Sequence, residues 1–279
     1  MQSGQPSRTA RAAAAHRAAH QILVQGRVFT DPLALRILGE DSAALVQDAE
    51  QNPNRRSMRL FIAARTRFAE DALAQALAQG LSQLVVLGAG LDTYAYRSNL
   101  AERLRIFEVD HPATQAWKRQ RLADAAIALP TALTFAPVDF ERETLPQGLA
   151  AAGFDPAQRT FFTWLGVVPY LTERAVFDTL AFIASQPAGA QVVFDYANPP
   201  ASLEPQARAM LERRAARVAE LGEAWLSYFE PEPLHARLAA LGFPTIEDLG
   251  PAQIASRYFP ERAGTTYGKG GHILRAASY

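Results

Sequence analysis

The chain has 279 residues, and 49% of them are apolar, which is enough for a sizeable core. Its 28 basic and 28 acidic residues give a formal net charge of zero, so it lacks the basic excess that is typical of a nucleic-acid binder. Because it has no cysteine, disulfides and thiolate metal ligands are excluded, and a reducing, cytoplasmic location is expected. The sequence contains no run of about 18 apolar residues, so no membrane span is expected.

Helical patterns occupy the first 80 residues. An alanine-rich stretch predicts a helix over 8–24, and a periodic apolar face predicts another over 57–79. Between them, Asp31 is predicted to cap a short helix that has Pro32 at its first position. Residues 1–80 are therefore predicted to form a helical cap ahead of the first strand.

From residue 84 onwards, strand and helix patterns alternate. This alternation predicts an α/β fold with a mostly parallel sheet. Without an evident linker or repeat, residues 1–279 are predicted to form one domain, with 81–279 as an α/β core and a late helical insertion over about 200–241. The predicted strands are 84–87, 105–110, 133–140, 160–165, 191–196, 245–248 and 272–276, and the later helices are 172–185, 204–221 and 233–241.

A glycine-rich turn follows the first predicted strand. Gly88 and Gly90 lack a Cβ, so the backbone N–H groups there can approach a ligand closely. Twenty-two residues after Gly88, the next predicted strand ends in Asp110, whose carboxylate can accept hydrogen bonds from ribose hydroxyls. Because the third glycine of the dinucleotide fingerprint is missing at Thr93, the pattern indicates a nucleoside cofactor without fixing which one.

A third strand end carries Asp139 and Phe140. An acid followed by an aromatic residue can bind the amino group of adenine and border the base. The alternative is that Asp139 caps the turn that follows it. We favour ligand contact because this is the third strand end in a row with such groups.

Several of these motifs together resemble the leucine carboxyl methyltransferase family, in its bacterial S-adenosylmethionine-dependent branch. The resemblance extends over nearly the whole chain in the family's order. Its motifs are Phe29-Thr30-Asp31-Pro32-Leu33-Ala34, Ala64-Arg65-Thr66-Arg67-Phe68, Val86-Leu87-Gly88-Ala89-Gly90-Leu91-Asp92-Thr93 with Tyr96-Arg97, Phe107-Glu108-Val109-Asp110-x-Pro112, Pro137-Val138-Asp139-Phe140, Tyr170-Leu171 and Tyr228-Phe229-x-Pro231-x-x-Leu234.

The resemblance implies a class I methyltransferase sheet of seven strands, with an antiparallel last strand and S-adenosyl-L-methionine as cofactor. It also implies which residues contact that cofactor. Gly88, Ala89 and Gly90 would line its amino-acid part, Asp110 would bind the ribose, Asp139 and Phe140 would meet the adenine, and Arg65 would pair with the carboxylate. From the residues alone, Arg65 reads as a surface salt bridge on an amphipathic helix.

The sequence departs from the family at one position. The family usually has a Glu five residues before Tyr170, where it can contact the amino group of the cofactor, whereas this chain has Leu165. Tyr170 itself could face the substrate or pack with its hydroxyl satisfied. His111 follows Asp110 and is expected to line the site, and no residue is assigned as a catalytic base.

The resemblance therefore implies O-methylation of a carboxylate or hydroxyl on a small molecule or peptide. No metal, nucleic acid or membrane is expected to take part. An NAD-dependent oxidoreductase would use the same turn and ribose acid, and a non-catalytic S-adenosylmethionine-binding protein would fit the loss of the Glu at Leu165. Binding of S-adenosylmethionine or of NAD, with or without turnover, would distinguish these three functions.

Overall fold

A computed structural model describes residues 7–39, 42–52, 55–140, 142–220, 222–262 and 268–279. The described residues form two compact units. The first unit contains the described residues up to Leu77 and the segment Ser82–Asp155. The second unit contains the segment Ala78–Leu81 and the described residues from Pro156 to Tyr279. Organisation of the whole chain as one domain stays a prediction.

The first unit begins with four helices: α1 (Arg8–Val24), α2 (Ala34–Leu38), α3 (Ser42–Gln51) and α4 (Arg56–Ala78). Helix α1 starts where the Ser7 side chain accepts a hydrogen bond from the Ala10 N–H at 3.1 Å, and it ends at Gln25, which has left-handed backbone angles. The prediction for α1 is confirmed, and the prediction for α4 is correct to within one residue at each end. Helix α3 was not predicted.

Alanines on α1 let this helix pack closely. Ala14 and Ala18 are fully buried in a cluster that also contains Leu91, Leu122 and Ile127. Since a methyl side chain keeps the backbones close and loses no rotamer freedom on burial, an alanine-rich helix suits this position. The first helix is therefore part of the core of the first unit.

Asp31 has a different role from the predicted helix cap. The residue that caps α2 is Leu33, and the Asp31 carboxylate is buried. It accepts hydrogen bonds from Arg17 Nε at 3.1 Å, from Thr93 Oγ1 at 2.7 Å and from the Leu33 N–H at 3.1 Å. The guanidinium of Arg97 lies 3.7 Å from it. The prediction failed because a buried carboxylate surrounded by cations is better stabilised there than at a helix end.

Three parallel strands and three helices complete the first unit: β1 (Gln83–Leu87), α5 (Tyr94–Arg97), β2 (Arg105–Asp110), α6 (Pro112–Asp124), β3 (Leu133–Pro137) and α7 (Leu145–Ala151). In the pairing register, Leu87 lies opposite Val109, and Asp110 lies opposite Pro137. Strand β3 ends three residues earlier than predicted, so Phe140 belongs to the turn that follows.

An ion pair is buried between β2 and α6. Nζ of Lys118 lies 2.7 Å from Oε2 of Glu108, and both side chains are 1% exposed. The Tyr96 hydroxyl donates to the same Glu108 oxygen at 3.1 Å. Burial raises the pKa of Glu108, while the charge of Lys118 acts in the opposite direction. The cost of burying each of these two charges is therefore offset by its attraction to the other.

The second unit contains β4 (Thr160–Trp164), α8 (Glu173–Ala184), β5 (Ala190–Ala197), α9 (Pro205–Glu220), α10 (Pro231–Leu241), β6 (Thr245–Leu249), α11 (Pro251–Tyr258) and β7 (Gly271–Ala277). All eight residues of β5 are buried, as expected of a central strand. Thr172 caps α8, as predicted, by accepting from the Ala175 N–H at 3.3 Å. Helix α11 was not predicted.

The seven strands form one sheet in the order β3-β2-β1-β4-β5-β7-β6. Strand β7 is antiparallel to both β5 and β6, while the pairs β1–β2, β2–β3 and β4–β5 are parallel. This arrangement confirms the predicted fold class, a mostly parallel α/β sheet of seven strands with an antiparallel last strand.

One carboxylate of the second unit collects three side-chain hydrogen bonds. Asp248 Oδ2 lies 2.6 Å from the Tyr196 hydroxyl and 2.7 Å from Nε2 of His235, and its Oδ1 lies 2.9 Å from Nδ1 of His272. Burial alone would raise the pKa of Asp248, but the hydrogen bonds from His272 and Tyr196 outweigh burial and hold this pKa below its ordinary value.

We expect Asp248→Asn to reduce the free energy of unfolding at pH 7 by about 1–3 kcal/mol, because three donors lose their ionised acceptor. A carboxyl with a depressed folded-state pKa stabilises the fold above its unfolded pKa of about 3.9, and that contribution disappears as the pH falls through the folded-state value. The stability gap between wild type and variant should therefore shrink below about pH 4. Urea unfolding at several pH values measures it, with Asp178→Asn, an exposed acid on α8, as control. A gap that widens on acidification contradicts this account.

Candidate functional site

The ends of β1, β2 and β3 lie side by side in the first unit. The Ala89 N–H donates to the Val109 carbonyl at 3.0 Å, and the Val138 N–H donates to the Asp110 carbonyl at 2.9 Å. The glycine turn, Asp110 and the Asp139 turn therefore follow neighbouring parallel strands at the same edge of the sheet. Ligands of open α/β sheets bind at this edge.

Asp110 connects the glycine turn to the start of α6. Its Oδ2 accepts a hydrogen bond from the Gly90 N–H at 2.5 Å, and its Oδ1 accepts one from the His111 N–H at 2.7 Å. Burial raises the pKa of Asp110, and these two backbone hydrogen bonds oppose that rise. Because each carboxylate oxygen has two lone pairs, both oxygens can still accept a further hydrogen bond.

The two glycines of the turn have different surroundings. Both have positive φ, +64° at Gly88 and +43° at Gly90. Gly88 is exposed, whereas Gly90 is buried against α1: a Cβ added at Gly90 would lie 2.9 Å from the Cβ of Ala10. Close packing of the first helix is thus one reason for glycine at position 90, which the sequence pattern alone did not reveal.

We expect Gly90→Ala to destabilise the protein by about 2–4 kcal/mol, since it adds an overpacking penalty to the penalty for left-handed φ. Gly80→Ala is the matched control because Gly80 has φ +88° and open space around it, so only the backbone penalty applies there. Thermal or urea unfolding gives both values, and Ala10→Gly should recover part of the loss at Gly90. Equal losses at the two glycines would contradict the proposed contact with α1.

The third strand end carries an acid and an exposed ring. The Asp139 carbonyl accepts hydrogen bonds from the Arg142 and Glu143 N–H groups at 2.8 and 2.9 Å, which closes the turn. The Asp139 carboxylate lies 3.4 Å from Nε of Arg142. Phe140 is 63% exposed, which is unusual for a phenylalanine. Its ring is therefore available to a planar ligand.

The structure also locates the remaining predicted residues of the first unit. Arg65 lies on α4 and is only 8% exposed, so the surface position inferred from the sequence is wrong. His111 caps α6, because its Nδ1 accepts a hydrogen bond from the Ala113 N–H at 3.2 Å. This cap uses one of its two ring nitrogens, which favours a structural role.

Tyr170 and Leu165 belong to the second unit. Tyr170 ends a short 3-10 turn, Val168–Tyr170, that follows β4. Next to Leu165, the Gly166 N–H donates to Oδ1 of Asp195 at 2.6 Å. Asp195 is a buried acid in β5, two residues before the strand ends, whose role the sequence reasoning missed. A charged residue within a mostly apolar strand was the signal that could have identified it.

Two observations limit the kind of site. In the ranges that the structure describes, no three His, Asp or Glu side chains are grouped so that they could hold a metal ion. None of the helices within those ranges is both long and apolar enough to cross a bilayer.

The strand order and the antiparallel β7 define a class I methyltransferase fold. A solved structure of a DUF574 family protein from Streptomyces avermitilis is similar to 95% of this chain and 97% of its own, with a TM-score of 0.55 and 14% sequence identity. At this identity the similarity concerns the fold alone.

Sequence relatives identify the family. The model of the leucine carboxyl methyltransferase family matches residues 10–184, more than half of the chain. A Bacillus subtilis protein provisionally named an S-adenosyl-L-methionine-dependent methyltransferase is 35% identical over 201 residues, which are 71% of this chain and 66% of the relative. A Streptomyces avermitilis protein with the same provisional description is 35% identical over 221 residues, 75% of this chain and 74% of the relative.

The chain therefore belongs to the leucine carboxyl methyltransferase family. This membership confirms the predicted class, an S-adenosyl-L-methionine-dependent methyltransferase, together with the predicted cofactor. The individual contacts of Arg65, Gly88, Ala89, Gly90, Asp110, Asp139 and Phe140 with that cofactor, and the contact of Tyr170 with a substrate, stay predictions.

Proposed function

We propose that this protein transfers the methyl group of S-adenosyl-L-methionine to an oxygen of a carboxylate or hydroxyl on a small molecule or peptide. The observation that carries the proposal is the alignment of the three strand ends, with the Asp110 carboxylate hydrogen-bonded to the glycine turn. The proposed setting is cytoplasmic, without nucleic acid or membrane, as the charge balance and the absence of cysteine favour.

The residues at the three strand ends fit an adenosyl group. The exposed turn at Gly88 has no side chain that could block a ligand, and the Asp110 oxygens have lone pairs left for two ribose hydroxyls. The exposed ring of Phe140 can border the adenine, while Asp139 accepts from its amino group. In this proposal Arg65 pairs with the carboxylate of the cofactor, for which a guanidinium offers two parallel donors.

Methyl transfer requires mainly positioning from the protein. The bound cofactor supplies an electrophilic methyl group on a positively charged sulfur. A lone pair of the acceptor oxygen would form the new O–C bond as the C–S bond breaks and leaves its electrons on sulfur. An ionised carboxylate acceptor would then need no base, whereas a hydroxyl acceptor would also have to give up its proton. Alignment of the two reactants alone can account for about 7–11 kcal/mol of the barrier.

Binding and turnover test the proposal. In calorimetry with the full chain, S-adenosyl-L-methionine and its demethylated product should bind, and NAD should not. Radiolabelled methyl transfer to candidate acceptors, followed by treatment with alkali, separates the two acceptor classes, because a methyl ester releases methanol and a methyl ether does not. NAD binding would favour the oxidoreductase, and cofactor binding without turnover on any acceptor would favour the non-catalytic alternative.

A further inference from the structure

A cluster of three aromatic side chains and one arginine lies in the second unit. We call it the aromatic–arginine cluster; its members are Tyr170, Arg214, Trp225 and Tyr228. The rings of Tyr170 and Trp225 have centroids 6.5 Å apart at an interplanar angle of 77°, and those of Trp225 and Tyr228 are 6.2 Å apart at 65°. Such edge-to-face contacts hold aromatic rings in fixed orientations.

Backbone hydrogen bonds place this cluster at the ends of β4 and β5. The Leu226 N–H donates to the Pro169 carbonyl at 2.6 Å, beside Tyr170. The Ser227 hydroxyl donates to the Val168 carbonyl at 2.9 Å, and the Phe229 N–H donates to the Ala197 carbonyl, the last residue of β5, at 3.0 Å. The cluster is therefore fixed at the carboxyl ends of two parallel strands, where open α/β sheets bind ligands.

Two donors in the cluster have no hydrogen-bond acceptor among the residues that the structure describes. The Arg214 side chain, on α9, forms no hydrogen bond or ion pair with any residue that the structure describes, although it is partly buried. The Glu223 N–H donates to the Val218 carbonyl at 3.1 Å, one helical turn after Arg214, so the segment that carries Trp225 begins beside this end of α9. Burial lowers the pKa of Arg214, and the nearby Tyr170 acts in the opposite direction. Trp225 Nε1 is buried and likewise has no hydrogen-bond partner among the described residues. A buried donor without an acceptor is destabilising, which applies to Trp225 Nε1, while Arg214 is a partly buried cation without an anionic partner among the described residues. Both features favour an anionic ligand.

We propose, on the basis of the proposed methyl transfer, that the acceptor is an aromatic carboxylate whose ring packs against Tyr170 and Trp225 and whose carboxylate pairs with Arg214. A guanidinium binds a carboxylate through two parallel N–H···O bonds, and the indole N–H is a donor without acceptor capacity. Aromatic side chains contact a planar ring over a large apolar area. Arg214 is then a specificity-determining residue for the acceptor.

Calorimetry with trans-cinnamate and its uncharged amide tests this inference on the full chain with the demethylated cofactor present. Cinnamate should bind at least tenfold more tightly than cinnamamide. Arg214→Met should weaken cinnamate binding at least tenfold, Arg214→Lys should weaken it less, and Trp225→Phe, which keeps an aromatic ring but loses the N–H, should weaken it a few-fold. Arg213→Met is the matched control, since Arg213 is an exposed neighbour on the same helix, and it should bind cinnamate as wild type does.

The inference is wrong if wild type binds neither compound, if it binds the amide as well as the acid, or if Arg214→Met binds cinnamate unchanged. Affinity for S-adenosyl-L-methionine, measured on the same samples, separates this failure from that of the proposed function. Cofactor binding without cinnamate binding would remove only the aromatic carboxylate, whereas loss of cofactor binding in wild type would remove the proposed function itself.

Discussion

Replacing Asp110 with alanine is expected to weaken S-adenosyl-L-methionine binding by about 1–3 kcal/mol, or roughly 5- to 150-fold in Kd. The carboxylate accepts hydrogen bonds from the Gly90 and His111 N–H groups. In the proposed complex the carboxylate would also accept hydrogen bonds from the ribose hydroxyls. Its loss would therefore remove contacts to the ligand and also the hydrogen bond that holds the glycine turn. Isothermal titration calorimetry with the cofactor measures the change.

Two controls make the result at Asp110 specific. Asp110→Asn keeps one oxygen acceptor and should have a smaller effect, while Asp124→Ala removes an exposed acid from α6 and should have none. Because burial raises the pKa of Asp110, affinity should fall as the pH falls through that raised value, and Asp110→Asn should lose this dependence. Unchanged affinity in Asp110→Ala, with folding intact, would remove Asp110 from the site.

Lys118→Met is expected to have the largest effect on stability, a loss of about 3–5 kcal/mol in the free energy of unfolding. The substitution leaves Glu108, which is 1% exposed, buried without its cation, while the Tyr96 hydroxyl still donates a hydrogen bond to it. Urea unfolding followed by tryptophan fluorescence measures the loss, and Trp117, the neighbour of Lys118, reports on this region.

The pH dependence of Lys118→Met has a definite sign. Burial already raises the pKa of Glu108, and removal of Lys118 takes away an interaction that opposes this rise. A carboxyl whose folded-state pKa exceeds the unfolded value of about 4.3 destabilises the fold increasingly as the pH rises above that value. The deficit of the variant should therefore be larger at pH 8 than at pH 5.

Double replacement provides the matched test of this ion pair. Glu108→Met combined with Lys118→Met should recover most of the stability, because an apolar pair of similar size avoids the burial of charge. Lys269→Met is the surface control: Lys269 pairs with Glu230 at 3.0 Å, but half of its side chain is exposed, so its loss should change stability by less than about 1 kcal/mol. A double variant as unstable as Lys118→Met would contradict this account.

The fold could be predicted largely because its strands are apolar runs with clear ends. The predicted bounds of β2 are those of the structure, and β1 differs by one residue. Five helices were not predicted: α3, α5, α6, α7 and α11. Of these, α5, α7 and α11 are short, and α3 follows α2 closely with no apolar periodicity distinct enough to separate it from a loop.

The candidate site was predictable only in outline. Spacing placed Gly88, Asp110 and Asp139 at successive strand ends, and parallel pairing brings those ends together. The contact of Gly90 with Ala10 joins positions 80 residues apart, and no local pattern encodes it. The partnership of Glu108 with Lys118 was likewise hidden, although an acid between Phe107 and Val109 in a buried strand implies that some cation must lie nearby.

A crystal structure of the protein with its demethylated cofactor tests the central claim most directly. The account predicts an adenosyl group at the ends of β1, β2 and β3, with ribose hydroxyls within hydrogen-bond distance of the Asp110 carboxylate, the adenine beside Phe140 and the glycine turn against the ligand. An adenosyl group bound elsewhere on the protein, with Asp110 bonded only to Gly90 and His111, would contradict it.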